Sequence, residues 1–221
     1  HSFPTRRSSD LSSADVALVA AFLSAFSTPE ERNKITRKRI ALLAHALEQS
    51  VAGVPCGIQD QLAAAYGGVN AWHWTGGAGA ELFTRTPVFE KSGASGFSNK
   101  ILVAYCGNPH ESKDVNGRWV RSFLSGKFRQ EWREIIECAQ CFVDALGKGE
   151  YKEASRWMNK ETEIRCELTP DVLDRTGKIL VEKAMNEGCG ARFTGAGGGG
   201  CVWAIGEAEK IRSEERLVGK E

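Results

Sequence analysis

Two carboxylates in this sequence stand where they could do chemistry. Residues 48–68 read E-Q-S-V-A-G-V-P-C-G-I-Q-D-Q-L-A-A-A-Y-G-G. A helical pattern ends near Ala52, a Gly-Val-Pro-Cys-Gly turn follows, and a short second helix opens at Gln59 or Asp60 and stops at the Gly67-Gly68 pair. Glu48 and Asp60 therefore occupy the two lips of one turn. Asp60 falls where a helix N-terminus leaves backbone N–H groups unpaired, which favours its ionised form and holds it in place. Glu48 lies in line with Ala41 and Ala44, small residues that let another backbone approach closely. A glutamate at that edge suits a metal ligand reaching into a cleft. The same pair also reads as a helix N-cap aspartate and a solvated glutamate.

A second chemical feature lies near the other end. Residues 195–200 hold five glycines between two strand-like runs, A-R-F-T-G-A-G-G-G-G-C-V-W-A-I. One glycine suffices for a hairpin, and five point to backbone packed tightly against a ligand or another loop, with a plain glycine-rich hairpin as the alternative. The run does not open a helix after a strand and no Gly-Lys-Ser/Thr follows, so it is neither a dinucleotide fingerprint nor a Walker loop.

The elements that must position these groups follow from periodicity. Ser12, with Asp15 three residues on, resembles a capping box, and Val16, Val19, Ala20, Leu23 and Phe26 share one helix face. After a turn at residues 29–33, a helix over 35–51 carries the stripe Ile40, Leu43, Leu47 and Val51. Strands are expected at 69–74 and 80–88, a Ser/Gly-rich connection at 91–99, and a buried strand at 101–105. A polar loop covers 106–117, and helices cover 118–124, 128–146 and 150–164. Thr169-Pro170 opens a last helix with the stripe Leu173, Thr176, Leu180 and Ala184.

Composition narrows the class. The chain has 221 residues, 42% of them hydrophobic, and a net charge of +1 with both signs interspersed. It can bury a sizeable core, and it carries no basic stripe for nucleic acid or an anionic membrane surface. The run over 16–26 is too short to cross a bilayer. Seven scattered cysteines read as reduced thiols in a cytoplasmic protein, and Cys138-Ala-Gln-Cys141 reads as a helix face. Residues 1–10 and 213–221 have no periodicity and resemble adapter-derived additions, so the native chain is expected to begin upstream of Leu11.

The segment P-C-G-I-Q-D-Q followed by small residues and Gly-Gly resembles the catalytic-aspartate segment of the GHMP small-molecule kinases, and within them the galactokinase-like sugar kinases. Ser12-Ser13-Ala14 resembles the end of that family's phosphate loop, and Thr194-Gly-x-Gly-x-Gly-Gly its third motif. Asp15 and the missing glycines before Leu11 depart from the pattern. The resemblance implies an α+β, two-domain fold: a truncated left-handed βαβ half over 11–98 and a ferredoxin-like half over 99–212. It implies ATP and Mg²⁺ as cofactors and a small-molecule sugar as substrate, with Asp60 catalytic and Glu48 and Ser13 holding the metal. Ser12, Ser13, Gly195, Gly197, Gly198 and Gly199 would line the nucleotide, and Gly57, Gln61 and His110 the sugar.

The resemblance further implies that the three motifs converge on one cleft, where Asp60 takes or orients the proton of the attacking hydroxyl. A galactose or related hexose kinase is the first expectation. A heptose-7-phosphate kinase and a non-catalytic sugar- and ATP-binding regulator are the rivals. The chain as it stands is expected to bind ATP poorly and to be inactive alone.

Overall fold

The computed structural model describes residues 8–52, 57–75, 81–89, 96–107 and 112–212. It is α+β and divides into two compact units, His1–Pro87 and Val88–Glu221.

In the first unit, helices α1 (Ser8–Phe26) and α3 (Arg37–Ala52) pack on each other and on α4 (Gln59–Tyr66). A one-turn helix α2 (Pro29–Arg32) replaces the turn expected there, because Thr28 and Glu31 form a reciprocal capping box around Pro29. Strands β1 (Val69–Trp74) and β2 (Phe83–Phe89) form a two-stranded sheet. Ala41, Ile58, Leu62 and Phe83 make the local core. Edge-on ring contacts carry it outward from Phe83 to Trp72 at 5.3 Å and on to Tyr66 at 5.1 Å.

Two expectations for this unit change. Helix α1 begins at Ser8, so part of the segment set aside as foreign extends it, and Ser12 is an interior residue and not a cap. Ser8-Ser9-Asp10 are ordinary first-turn residue types, and nothing between them and Ser12 breaks a helix. On α3 the buried face is Ala41, Ala44 and Glu48, while Leu43, Leu47 and Val51 are 41%, 39% and 80% exposed. The alanine face permits close helix approach, and that proximity decides which stripe turns inward. On α1, Val16 is buried as expected, whereas Leu18, Phe22 and Phe26 face outward.

The second unit holds β3 (Ile101–Tyr105), α5 (Ser112–Leu124), α6 (Arg129–Gly147), α7 (Tyr151–Leu168), α8 (Arg175–Asn186), β4 (Gly190–Phe193) and β5 (Cys201–Ile205). The strands form one antiparallel sheet in the order β3-β5-β4, with Leu102 opposite Ala204 and Ala191 opposite the same residue. Val181 and Ala184 of α8 pack with Ala191, Phe193, Val202 and Ala204 in the main core. The outer edge of β4 is closed by α7: Asn159 Oδ1 accepts from the Ala191 N–H, and Thr162 Oγ1 donates to the Ala191 carbonyl.

Helix α5 begins at Ser112, inside the stretch expected to be loop. Helix α8 begins at Arg175 and not at Pro170, because Asp174 caps it by accepting from the Gly177 N–H at 2.7 Å. Its buried stripe therefore shifts to Gly177, Val181 and Ala184. Cys138 and Cys141 lie on α6 as free thiols. Among the described residues no helix is long and apolar enough to cross a membrane.

Candidate active site

Three helices of the first unit meet around one carboxylate. Ala41 and Ala44 are fully buried, and their short side chains bring α1 and α4 close to α3. One turn beyond Ala44, Glu48 is 8% exposed. Ser12 of α1 donates its hydroxyl to Glu48 Oε2 at 2.6 Å, and Gln61 of α4 donates from Nε2 to the same oxygen at 2.7 Å. Gln61 Nε2 also lies 3.2 Å from Ser12 Oγ. Burying a carboxylate is costly, and two donors on one oxygen offset much of that cost.

Asp60 is in the first turn of α4, where Ile58 and not Asp60 is the N-cap. Its side chain reaches solvent, yet its pKa is raised from the ordinary carboxylate value, first by loss of hydration and then by the negative charge of Glu48. This direction is opposite to the one expected from the helix N-terminus alone. Asp15, one turn along α1 from Ser12, is raised for the same two reasons in the same order. Asp15 and Asp60 thus share an acidic region centred on Glu48.

The arrangement fits a divalent cation of the magnesium kind. Among the described residues no group of three His, Cys, Asp or Glu could hold a metal by itself. Magnesium asks for less than that, since it is commonly held by one or two carboxylates, with waters and phosphate oxygens completing the shell. Gln61 supplies a further sign, because its Oε1 is a buried acceptor with no hydrogen-bond partner among the described residues. Ser13 is exposed on α1, beside the buried Ser12.

The structure distributes the remaining expected residues as follows. Gln61, expected to touch substrate, is 1% exposed and turned inward to Glu48 and Ser12. Gly57 is exposed just before α4. His110 lies outside the described residues. In the second unit, Gly195, Gly197, Gly198, Gly199 and Gly200 all adopt positive φ, which side-chain-bearing residues avoid. Gly198 N–H donates to the Val172 carbonyl at 2.7 Å, and a Cβ on Gly197 would run into that carbonyl and the Val172 side chain. Gly195 has open space where a side chain would go. Part of this loop is therefore shaped by the Val172 turn and part is free.

Sequence reasoning missed the hydrogen-bonded union of Ser12, Glu48 and Gln61. The signal available for it was the Ala41-Ala44-Glu48 spacing, which marks a helix face meant to be approached closely.

Both halves of the chain have counterparts among known proteins. The family profile for the GHMP kinases N terminal domain matches residues 11–68, and that for GHMP kinases C terminal matches 142–217; together they cover more than half of the chain. A galactokinase of Thermococcus kodakarensis is 28% identical over 96% of this chain and 64% of its own length. A mevalonate kinase of Pyrococcus horikoshii is 25% identical over 84% of this chain and 53% of its own. The chain thus spans between about half and two thirds of these curated relatives. In fold it is similar to the crystal structure of L. major mevalonate kinase in complex with R-mevalonate, with a TM-score of 0.67 and 22% identity over 94% of this chain and 61% of that one. With both halves matched in order, and the acidic helix cluster lying inside the N-terminal match, the chain belongs to the GHMP kinase family.

Proposed function

We propose that this chain carries the acidic half of an ATP-dependent small-molecule kinase that transfers the γ-phosphoryl group of MgATP to a sugar hydroxyl, a hexose of the galactose type first. The observation that carries this reading is the buried Glu48 carboxylate, fixed through one oxygen by Ser12 and Gln61 and bordered by Asp60. Glu48 and Ser13 are the residues suited to hold magnesium. The ion, when bound, neutralises charge on the phosphate oxygens.

Asp60 does the proton work in this reading. Its raised pKa makes it a stronger base than an ordinary aspartate, which suits it to accept or orient the proton of an attacking hydroxyl. Ser12 and Gln61 keep Glu48 in one position throughout. The positive-φ glycines Gly195, Gly197, Gly198 and Gly199 present backbone that a phosphate or ribose could approach without steric cost.

Sugar is placed ahead of mevalonate because the P-C-G-I-Q-D-Q segment resembles galactokinase-like kinases and the galactokinase match covers 96% of the chain against 84%. A mevalonate-type acceptor is the second reading, supported by the second curated relative and by the fold neighbour. Coupled ADP release by the full-length protein, with galactose, other hexoses, a heptose 7-phosphate and mevalonate offered in turn, decides between them. Hexose-dependent turnover is expected. Turnover with mevalonate alone overturns the sugar assignment, and no acceptor-dependent ADP release from any of them overturns the kinase reading.

A further inference from the structure

Gln61 is the most buried polar residue of the acidic cluster after Ser12 is set beside it, both being 1% exposed. Its amide nitrogen is fully used, donating to Glu48 Oε2 and approaching Ser12 Oγ. Its carbonyl oxygen is buried and meets no donor among the described residues. Leaving such an acceptor unmet is unfavourable, since it loses its bond to water and gains none in return. Rotating the amide by half a turn does not relieve it, since that would press the carbonyl oxygen against the Glu48 carboxylate. The Ser12 proton is committed to Glu48 at 2.6 Å and cannot serve. No described group supplies the missing donor, and the place left for it lies beside the buried Glu48 carboxylate.

We propose that Gln61 is the positioning residue of the cation site: its amide nitrogen locks Glu48, and its orphaned carbonyl oxygen accepts a hydrogen bond from a water carried by the bound divalent ion. The inference rests on the function proposed above, in which Glu48 holds magnesium, and adds a residue that does not touch the ion. A hydrated ion supplies both of the things the site lacks. It provides positive charge among three carboxylates and a polarised O–H donor for an acceptor that no side chain satisfies. The amide also engages one particular Glu48 oxygen, because Oε2 accepts from both Gln61 and Ser12, and so directs the metal to Oε1.

The test uses Mn²⁺ alone as the probe, titrated into the 221-residue chain and followed by electron paramagnetic resonance, with melting temperature recorded for every variant. Gln61→Leu should weaken Mn²⁺ binding about tenfold, the scale of losing an outer-shell partner, and Glu48→Gln should abolish it. Gln61→Met, matched in length, repeats the measurement should the leucine variant fail to fold. Gln61→Glu should lower the melting temperature of the metal-free chain and show a larger Mn²⁺-induced rise than wild type, because it sets a second anion against Glu48. A purely structural Gln61 would shift melting temperatures and leave Mn²⁺ affinity alone. Mn²⁺ binding within twofold of wild type in Gln61→Leu or Gln61→Met, with Glu48→Gln inactive in binding, overturns the role of Gln61 while sparing Glu48. Equal binding by wild type and Glu48→Gln, or none by wild type, overturns the metal assignment of Glu48 and this proposal together.

Discussion

Gln61 Nε2 lies 2.7 Å from Glu48 Oε2, a bond that joins α4 to α3 and is seconded by Ser12 from α1. The carboxylate is thus assembled by three helices before any ligand arrives. A side chain held this way loses little freedom on binding, which is the physical content of preorganisation.

Glu48→Gln keeps shape and removes charge. In the full-length protein the Mg²⁺ concentration for half-maximal rate should rise by at least about tenfold, the loss seen even when an outer-shell partner of a metal is removed. An unchanged Mg²⁺ titration at fixed ATP would return Glu48 to a structural role.

Asp60→Asn should divide activity from stability. Turnover should fall by about 10²–10⁴-fold, the usual contribution of a positioned acid or base. Because the folded-state pKa of Asp60 lies above 3.8, the folded chain binds more protons than the unfolded chain between 3.8 and that raised value. Stability from this group is therefore highest at acid pH and declines as pH rises through the window, with the penalty fully present at neutrality. Asparagine removes it, so the variant should melt higher than wild type at pH 7, and the gain should vanish below pH 3.8. Equal melting temperatures at both pH values would contradict the raised pKa. Asp15→Asn should behave alike in melting.

The glycine loop separates into two classes by substitution. Gly197→Ala forces a methyl group into the Val172 turn at a positive φ of 77°, and should cost roughly 2–4 kcal/mol from overpacking and backbone strain combined. Gly195→Ala has open space and only its φ of 60° to overcome, about 1 kcal/mol. Chemical denaturation of the two variants should show that order, and the reverse order would mean that the loop does not rest on Val172.

The outward stripes of the first unit should be visible in solution. Leu18, Phe22 and Phe26 on α1 and Leu43, Leu47 and Val51 on α3 are each at least 39% exposed. Contiguous apolar surface binds hydrophobic dyes. The chain should enhance the fluorescence of an anilinonaphthalene dye, and Phe22→Ser with Leu47→Ser should reduce that signal without lowering the melting temperature. Undiminished fluorescence would place the dye elsewhere.

Which parts of this were legible in the sequence follows from what local pattern encodes. The strands at 69–74 and 101–105 were read residue for residue, because β-branched and aromatic runs bounded by glycine and polar residues leave little choice. The pairing of Glu48 with the Ala41-Ala44 face was also readable. The outward turn of Leu43 and Leu47 was not, because hydrophobicity alone ranks leucine inside, whereas close helix approach selects the alanine face. Helix starts slipped where a cap was misassigned. Ser12 resembled a cap but lies inside α1, and Asp174, which does cap α8, was passed over in favour of Pro170. The rise in the Asp60 pKa was hidden for a different reason: it depends first on loss of hydration and then on a carboxylate twelve positions away, and only the tertiary structure reveals either.

The side chains of α7 have a consequence for how the second unit meets its surroundings. Asn159 and Thr162 occupy both hydrogen-bonding groups of Ala191, and Asn159 Nδ2 takes the Cys189 carbonyl as well. A foreign strand seeking to extend the sheet finds that flank already capped by the chain's own side chains.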